Sequence, residues 1–502
     1  MKVEQLLSNI DFGNEAGDDI TPTELAEYFV EQSLARDFTD HRNPLLIATG
    51  KKGVGKSALV QWSSYKLPKI RKGMLIVFAR GAELSRAKLG LATKLSTPNE
   101  HIQDWMARIC TVINRELAKK LNLALADDDI TLVEAAEIEG YKQRNLVRSL
   151  IQRFQRLLPQ LAAEPQLIAN EVEILKRAKP GPVWLLVDDL DATFQNTEAE
   201  CLELSTFFSA CRYLTRDLEG VSIRVTMRTD VWPVIRRHDE ALDKVEQYVL
   251  ALTWTEEDYR KLLARRVRYE MSRLRITYHS PPKHVHQLDR DYDVIKKAFV
   301  EKVPWGGEER MVPIHKVIYT LSYARPRWAI QLCKLCKIDA TKHGDKRIGK
   351  NNIDNVWGAY GKKRIADIVS EHKHQCPEVE ELINSFRGAQ RVMARDELMK
   401  WITNHVANHL SPTIDGKNVR SNVAIAQFLY RVGFLQARSQ ESEAAYEHYD
   451  FDDMPDFLSS RTNDDFGVLW EIHPSYREAL DIAKLNRSQR IQKGLIRDRS
   501  QE

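Results

Sequence analysis

Long hydrophobic runs are missing from this chain of 502 residues. No stretch approaches the roughly 18 consecutive apolar residues that cross a bilayer, and no N-terminal stretch pairs a basic start with an apolar signal-peptide core. Both absences argue against a membrane or secreted protein, so we expect a cytoplasmic protein that does not bind a membrane. The hydrophobic content of 43% is ordinary for soluble cores.

Cysteine is also scarce, with six residues spread over the whole chain. This density excludes a disulfide framework and favours thiols in a reducing compartment. The pair Cys333 and Cys336, with His372, His374 and Cys376 further on, has a spacing that zinc sites use. The pair sits in an apolar helical pattern without a glycine turn, which argues against zinc.

A strong net charge is absent, because 75 basic residues face 71 acidic ones and leave +4. The total therefore identifies no class of partner. Local basic clusters do occur, and each fits either a solvated helix face or a contact with a phosphate backbone. The clusters are Lys66 to Lys72, Arg144 to Arg156, Arg260 to Arg273 and Lys484 to Arg499.

A complete phosphate-loop motif runs from Gly50 to Ser57 and reads Gly-Lys-Lys-Gly-Val-Gly-Lys-Ser. It follows the apolar run Leu45 to Thr49 and precedes a helical pattern from Ser57 to Lys66, after which a second strand is predicted at Met74 to Phe78. Strand, loop, helix and strand make a βαβ unit, which is the setting such a loop requires. The motif predicts a nucleotide-binding protein.

Each part of the motif has a physical role toward a triphosphate. The glycines let backbone N–H groups converge on negative charge while the next helix points its positive end there. Lys56 is predicted to reach the β- and γ-phosphates and to act in catalysis, and Ser57 to ligate Mg²⁺. The predicted nucleotide-binding residues of the loop are Gly50, Gly53, Val54, Gly55, Lys56, Ser57 and Ala58.

An acidic segment, Asp188-Asp189-Leu190-Asp191, directly follows the apolar run Val183 to Val187. Ligands of open α/β sheets bind at the carboxyl ends of strands. Asp188 is predicted to hold Mg²⁺ through water, and Asp189 to polarise the attacking water where related ATPases often place a glutamate. The shorter aspartate predicts slow hydrolysis. For Asp191 a structural role stays open.

Arginines further along the chain are candidates for sensing the γ-phosphate. Arg228, at the end of the predicted strand Val221 to Met227, is the first choice, with Thr226 as the alternative. Arg327, in Ala324-Arg325-Pro326-Arg327, is predicted to close over the phosphates, with helix capping and surface charge as the alternatives. Arg212 and Arg216 fit either a trans arginine or surface charge.

ATP is favoured over GTP, because no guanine-reading Asn-Lys-x-Asp follows a strand. The only partial match, Cys336 to Asp339, lies at a predicted helix end.

The pattern of apolar runs predicts the fold class: an α/β, doubly wound parallel-sheet P-loop NTPase core with a helical insertion, a helical lid domain and a C-terminal winged-helix-like domain. Tyr248 to Leu252 is the fifth predicted strand. Asp293 to Val303 is among the predicted lid helices, and Gly433 to Ala437 with Gly467 to Ile472 form a predicted two-stranded hairpin.

The predicted domain boundaries follow from these patterns. They are a helical lead-in at 1–44, the core at 45–253 with its insertion at about 84–178, the lid at 254–375, the winged-helix-like domain at 376–485 and a basic tail at 486–502.

These motifs together resemble bacterial P-loop ATPases of the STAND, KAP and ORC-like group, of AAA+ type. The acidic segment matches the KAP-like Asp-Asp-x-Asp form, and Met227 to Trp232, Leu252 to Trp254 and Ile472 to Arg477 are similar to a poorly characterised family of that group. The resemblance covers about residues 25–485. It departs from the commoner AAA+ pattern because no glutamate follows Asp188.

The resemblance implies a nucleotide switch or assembly platform, often linked to anti-phage defence, that forms a homo-oligomer or binds a partner effector protein. ATP and Mg²⁺ are the implied cofactors. Two alternatives stay open: a DNA-binding initiator- or loader-like ATPase that uses its winged helix, and a scaffold that holds nucleotide without hydrolysing it.

Overall fold

A computed structural model of the protein describes residues 5–15, 17–86, 97–126, 172, 175, 182–192, 194, 197–236, 240–278, 282, 284–306, 310–440, 446–458 and 467–482. The chain divides into two compact units. The sheet unit comprises Phe12–Arg275 and Ala324–Ile330, and the second unit comprises Met1–Asp11, Ile276–Tyr323 and Gln331–Glu502. The phosphate-loop motif therefore lies in the sheet unit.

The sheet unit is built on a five-stranded parallel sheet in the order β2-β3-β4-β1-β5. Strands β1, β3 and β4 are buried at every residue. Burial on both faces explains why these segments are continuous apolar runs rather than alternating ones. The strands are β1 (Leu45–Thr49), β2 (Leu75–Arg80), β3 (Val183–Asp188), β4 (Val221–Met227) and β5 (Val249–Ala251).

Helices cover both faces of this sheet. The first helix of the chain, α1 (Leu6–Asn9), belongs to the second unit. Those of the sheet unit are α2 (Pro22–Tyr28), α3 (Ser33–Phe38), α4 (Lys56–Ile70), α5 (Gly81–Arg86), α6 (Pro98–Ala126), α7 (Glu198–Asp217), α8 (Trp232–Arg236) and α9 (Glu256–Arg273), with 3₁₀ segments at Gly17–Asp19, Glu240–Lys244 and Glu246–Tyr248.

Alternating residues of β1 show how the two layers form. Leu45 and Ile47 pack in a core with residues of α6 and α7, whereas Leu46 and Ala48 pack in a core with residues of α2, α3 and α4. Successive side chains of a strand point to opposite faces, so one apolar run stabilises both layers. The predicted doubly wound α/β core is confirmed.

The second unit combines helices with small antiparallel sheets. Its main sheet has the order β12-β11-β13-β8, and β6 pairs with β7 and β9 with β10. Its elements are α10 (Gln287–Ile295), β6 (Lys302–Pro304), β7 (Met311–Pro313), α11 (Ile314–Leu321), α12 (Pro326–His343, which begins in the sheet unit), α13 (Lys350–His372), α14 (Val379–Asn384), β8 (Val392–Met393), α15 (Arg395–Ile402), a π-helical turn (Thr403–Ala407), β9 (Thr413–Ile414), β10 (Lys417–Asn418), α16 (Asn422–Arg431), β11 (Leu435–Gln440), β12 (Tyr446–Tyr449), β13 (Leu469–Ile472) and α17 (Pro474–Arg477).

The prediction of a helix from Asp293 to Val303 was wrong over most of that range. The helix there, α10, begins earlier and ends at Ile295, and strand β6 begins at Lys302. The intervening backbone pairs with a distant residue, because the Ile348 carbonyl accepts from Val300 N at 2.9 Å and Ile348 N donates to the Ala298 carbonyl at 2.9 Å. These bonds replace the helical ones.

The predicted two-stranded hairpin is incomplete. Its strands, β11 and β13, do pair antiparallel, but β12 and β8 extend the sheet on either side. Both added strands are short, at four and two residues, so neither forms an apolar run that the sequence pattern could reveal.

Parts of the predicted architecture lie outside the described residues. These are most of the helical insertion beyond α6, the basic cluster from Arg144 to Arg156 and the basic tail. All six cysteines are described, and they are buried thiols. Among the helices of the described ranges, none has the length and hydropathy to cross a membrane.

Candidate nucleotide site

The phosphate loop connects strand β1, which lies between β4 and β5 in the sheet, to helix α4. Gly50 N donates to the Met227 carbonyl of β4 at 3.0 Å, which holds the start of the loop against the neighbouring strand. Gly53 and Gly55 have φ values of +85° and +103°, a region that favours glycine, and Gly55 is the N-cap of α4. Gly53 and Gly55 are thus favoured by the backbone that turns the chain into the helix.

Lys56 is the first residue of α4, and its side chain folds back over the loop. Its Nζ donates to the carbonyls of Gly50 at 2.7 Å and Lys51 at 3.2 Å. Ser57 and Ala58 follow in the first helical turn and are half-buried. The loop therefore presents an ammonium group and a hydroxyl at the positive end of a helix.

The acidic strand end, which we define as Asp188, Asp189 and Asp191, lies at the carboxyl end of β3. Asp188 is 5% exposed, and its Oδ1 accepts a hydrogen bond from Thr226 Oγ1 of the adjacent strand β4. Asp189 has a φ of +53°, the left-handed region that residues with a Cβ rarely adopt. A bent backbone at this point turns the carboxylates of the segment in different directions.

Asp191 is 3% exposed, and its Oδ2 accepts from the backbone N–H of Arg228 at 2.8 Å. Burial raises the pKa of the Asp191 carboxyl above its ordinary value, although Lys56 and the Arg228 hydrogen bond act in the opposite direction. The lysine of the phosphate loop is thus close enough to influence a carboxyl at the end of β3.

The side chain of Arg228 pairs with a near neighbour. Its Nε donates to Asp230 Oδ1 at 3.0 Å, and its Nη2 contacts Asp230 Oδ2. Of the two predicted γ-phosphate sensors, Thr226 therefore contacts Asp188 directly, whereas Arg228 contacts the acidic strand end through its backbone.

A cavity of about 300 Å³ brings several of these groups together within the sheet unit. Its wall includes the loop from Lys52 to Ala58, Asp189, Trp254 and Arg327. Asp188 and Arg228 are not part of that wall. Apolar residues also line the cavity, among them Ile20, Leu25, Tyr28, Phe29, Val30 and Leu262.

Two backbone contacts hold the loop from outside the motif. Trp254 Nε1 donates to the Val54 carbonyl at 2.8 Å, and Arg327 N donates to the Gly53 carbonyl at 3.2 Å. Both donors come from segments more than 190 residues further along the chain, at the start of α9 and of α12. Sequence reasoning named Arg327 as a site residue but gave Trp254 no role in the site.

Two glycines at the site were missed entirely. A Cβ on Gly17 would lie 2.7 Å from Ala58 N and 2.9 Å from Ala58 Cα, so the N-terminal segment rests on the first turn of α4. A Cβ on Gly81 would lie 2.4 Å from Leu190 Cα. A single glycine at the start of a short helical segment belongs to no periodic pattern, so no signal marked either residue.

Comparison with known proteins gives limited guidance. Residues 260–369 match the family model FunZ_C, described as the FunZ-associated C-terminal helical domain, which is about a fifth of the chain. No curated protein matches the sequence.

Solved structures with a similar arrangement are distant. The ORC2 protein of Aeropyrum pernix, in ADPNP and ADP complexes, is 11% identical over 90% of this chain and 92% of its own, with a TM-score of 0.40. The Walker-type ATPase paby2304 of Pyrococcus abyssi is 12% identical over 86% and 94%, with a TM-score of 0.38. Cdc6p of Pyrobaculum aerophilum is 11% identical over 93% and 95%, with a TM-score of 0.31. Likenesses this weak assign no function.

Proposed function

We propose that the protein is a Mg²⁺-dependent ATPase that binds ATP in the cavity of the sheet unit and hydrolyses it slowly. The observation that carries this proposal is the phosphate loop itself, in which Gly53 and Gly55 take positive φ and Lys56 begins α4 beside the same cavity as Asp189. The apolar part of the cavity lining fits a flat base, and the loop fits the phosphates.

The residues divide the work by their chemistry. Backbone N–H groups from Gly53 to Ala58 cradle the phosphates, and Lys56 exchanges its carbonyl partners for phosphate oxygens. Asp189 orients the attacking water, and Arg327 closes over the phosphates from the start of α12. Asp189 reaches less far than a glutamate would, which supports slow turnover.

The donor set fits a magnesium ion. Ser57 and Asp188 offer oxygen ligands, which Mg²⁺ prefers, and Mg²⁺ keeps several waters rather than an all-protein shell. No group of three or more ligating side chains occurs among the described residues, as a site completed by water and phosphates allows. Ser57 and Asp188 would hold the ion, which would supply positive charge beside the phosphates.

A γ-phosphate sensor on β4 completes the proposal. Arg228 was the first choice from the sequence, but the hydrogen bond from Thr226 to Asp188 favours Thr226. The Thr226 hydroxyl donates to the Asp188 carboxylate, so its hydrogen bond changes directly when Asp188 changes its own partner. Arg228 instead holds Asp191 through its backbone N–H.

We propose further that the protein is a cytoplasmic nucleotide switch of anti-phage defence, which forms a homo-oligomer or binds a partner effector in one nucleotide state. This part rests on the family resemblance of the motifs. Arg212 and Arg216 of α7 are the candidate trans arginines.

Substitution of Lys56 by Ala tests the nucleotide site. Affinity for ATP with Mg²⁺ is expected to fall about 10- to 100-fold, because hydrogen bonds to charged groups contribute roughly 1.5–3 kcal/mol. Lys69→Ala, which removes an exposed lysine from the same helix, is the matched control and should bind normally. Equal affinity of Lys56→Ala and wild type would rule out the proposed site.

Phosphate release separates an ATPase from a scaffold that only holds nucleotide. Wild type is expected to release phosphate slowly, and Asp189→Asn to bind ATP normally and release less. A wild-type protein that binds ATP and releases no phosphate would support the scaffold.

A DNA-binding ATPase is the second candidate, supported by the order of α15, α16 and the antiparallel strands β11 and β13 in the second unit, which fits a winged helix. Binding to duplex DNA that weakens steeply with salt would favour it. No binding at low salt would exclude it.

A further inference from the structure

Gly81 makes an unusually close backbone contact with the acidic strand end. It is the first residue of α5, directly after β2, and Arg80 pairs with Asp188 in the sheet register. A Cβ on Gly81 would lie 2.4 Å from Leu190 Cα, 2.7 Å from the Asp189 carbonyl oxygen and 3.0 Å from Leu190 N. All three are backbone atoms, so the neighbour cannot give way by rotating a side chain.

The close approach, and not the backbone conformation, is what requires glycine here. Gly81 is not among the residues with positive φ, whereas its partner Asp189 is, at +53°. That conformation is unfavourable for a residue with a Cβ and persists only where the surroundings impose it. The contact thus has Gly81, which has no side chain, on one side and Asp189, with its unfavourable backbone conformation, on the other.

The strained residue is also the one that lines the cavity with the phosphate loop. Its backbone direction decides where its carboxylate points, because φ and the position of Cβ are coupled. Moving the backbone at Asp189 and Leu190 by the distance that a methyl group on Gly81 demands would turn that carboxylate relative to Lys56 and the loop.

We propose that Gly81 is a positioning residue for Asp189: its missing side chain lets the β2–α5 junction press on the Asp189–Leu190 backbone and fix the carboxylate that orients the attacking water. This inference rests on the proposed ATPase function. It assigns the control of hydrolysis, as distinct from nucleotide binding, to a residue outside all recognised motifs.

Gly81→Ala is the direct test. We expect kcat for ATP hydrolysis to fall at least tenfold, since small misplacements of catalytic groups cost that much or more, while the Kd for ATP stays within about twofold. Gly358→Ala, at a helical glycine with no atom within 4 Å of an added Cβ, is the control and should change neither value.

A double-mutant cycle shows whether Gly81 acts through Asp189. In an Asp189→Asn background, Gly81→Ala should lower kcat no further, because the group that it positions is already lost. Independent, multiplicative losses would overturn the proposal, since a general structural defect would produce them.

A second variant covers the case in which Gly81→Ala does not fold. Leu190→Gly loosens the same turn from the other side and should lower kcat at normal ATP affinity, whereas Leu190→Ala, which keeps the Cβ, should lower it less. Wild-type kcat in Leu190→Gly would overturn the proposal. If wild type binds no ATP, the proposed function fails instead; if it hydrolyses ATP and only Asp189→Asn reduces the rate, this inference alone fails.

Discussion

Two buried carboxyls in this protein have opposite electrostatic environments. Glu471, on β13 of the second unit, and Asp191, beyond β3 of the sheet unit, are 1% and 3% exposed. Burial disfavours ionisation of Glu471, but Arg477, His448 and Arg391 outweigh it and hold its pKa well below the ordinary value. For Asp191 burial wins and the pKa is raised.

The contacts explain the difference. In the Glu471 cluster, Arg391 Nε and His448 Nε2 lie 3.0 and 2.8 Å from the carboxylate, Arg438 Nη1 lies at 3.6 Å, and Arg477 Nη2 also pairs with it. Asp191 has a backbone N–H from Arg228 and the more distant charge of Lys56, whose amine contacts loop carbonyls.

The comparison separates structure from function. The Glu471 cluster contains within one unit the cations that its carboxylate needs, so it stabilises a fold and requires nothing further. At Asp191 burial outweighs the nearby positive charge, so added cationic charge close to this carboxyl would be favourable. Substitutions in the first region should therefore change stability, and substitutions near the second should change nucleotide chemistry as well.

The largest effect is expected from Glu471→Gln. Removing the charge leaves buried arginines without their counter-ion, which costs about 3–5 kcal/mol. Urea unfolding combined with hydrogen exchange of β11 and β13 measures the loss. Glu447→Gln, which neutralises an exposed glutamate on β12, is the control and should change stability by about 0.5 kcal/mol or less.

The pH dependence has a definite sign. Because the folded pKa of Glu471 is lowered, its stabilisation is fully present above the ordinary value of 4.5 and is lost as pH falls through the lowered pKa. Glu471→Gln should lack this acid limb. A variant as stable as wild type at neutral pH would show that the cluster is not the structural anchor of its unit.

How far the sequence could predict these regions depends on the kind of signal each carries. Leu45–Thr49 and Val221–Met227 were predicted with the bounds that the structure has, because strands buried on both faces must be apolar throughout. Strand β12, where polar residues such as Glu447 and His448 pair with β11, offered no such run.

The site divides in the same way. The loop that forms around Gly53 and Gly55 was readable because a short local motif creates it. Trp254, Gly17 and Gly81 contact the site from segments that are remote in sequence from their partners, so only the folded chain joins them. The Thr226 bond to Asp188 required knowing that β4 lies between β1 and β3.

A middle-sized effect is expected at Asp191. Asp191→Ala leaves the Arg228 N–H without its carboxylate acceptor, which costs about 1–3 kcal/mol. Asp191→Asn keeps an acceptor oxygen and should be close to wild type in stability at pH 7. Urea unfolding of the three proteins provides the comparison.

The two Asp191 variants also differ in pH dependence. The pKa of Asp191 is higher in the folded protein than in the unfolded chain. Its contribution to the free energy of unfolding is therefore fully present below the ordinary pKa of 3.8 and is lost as the pH rises to the raised pKa. Asp191→Asn removes that fall. If the free energy of unfolding fell more steeply with rising pH in Asp191→Asn than in Asp191→Ala, a raised pKa of Asp191 would be contradicted.

The smallest effect is expected at Trp254, whose Nε1 donates to the Val54 carbonyl and whose ring packs edge-on against Tyr259 at 5.8 Å. Trp254→Phe keeps an aromatic ring and removes the donor, so the loop loses one neutral hydrogen bond worth about 1 kcal/mol. We expect roughly a fivefold weaker affinity for ATP, measured by titration calorimetry.

Trp232→Phe, in the same unit and packed on Phe208, is the control; it should change the free energy of unfolding more than the affinity for ATP. Because the loop backbone itself forms the phosphate cradle, a contact that fixes one of its carbonyls should affect binding even though no charge changes. Equal losses of affinity in both tryptophan variants would mean that general packing of the unit, and not this hydrogen bond, holds the loop in its binding conformation.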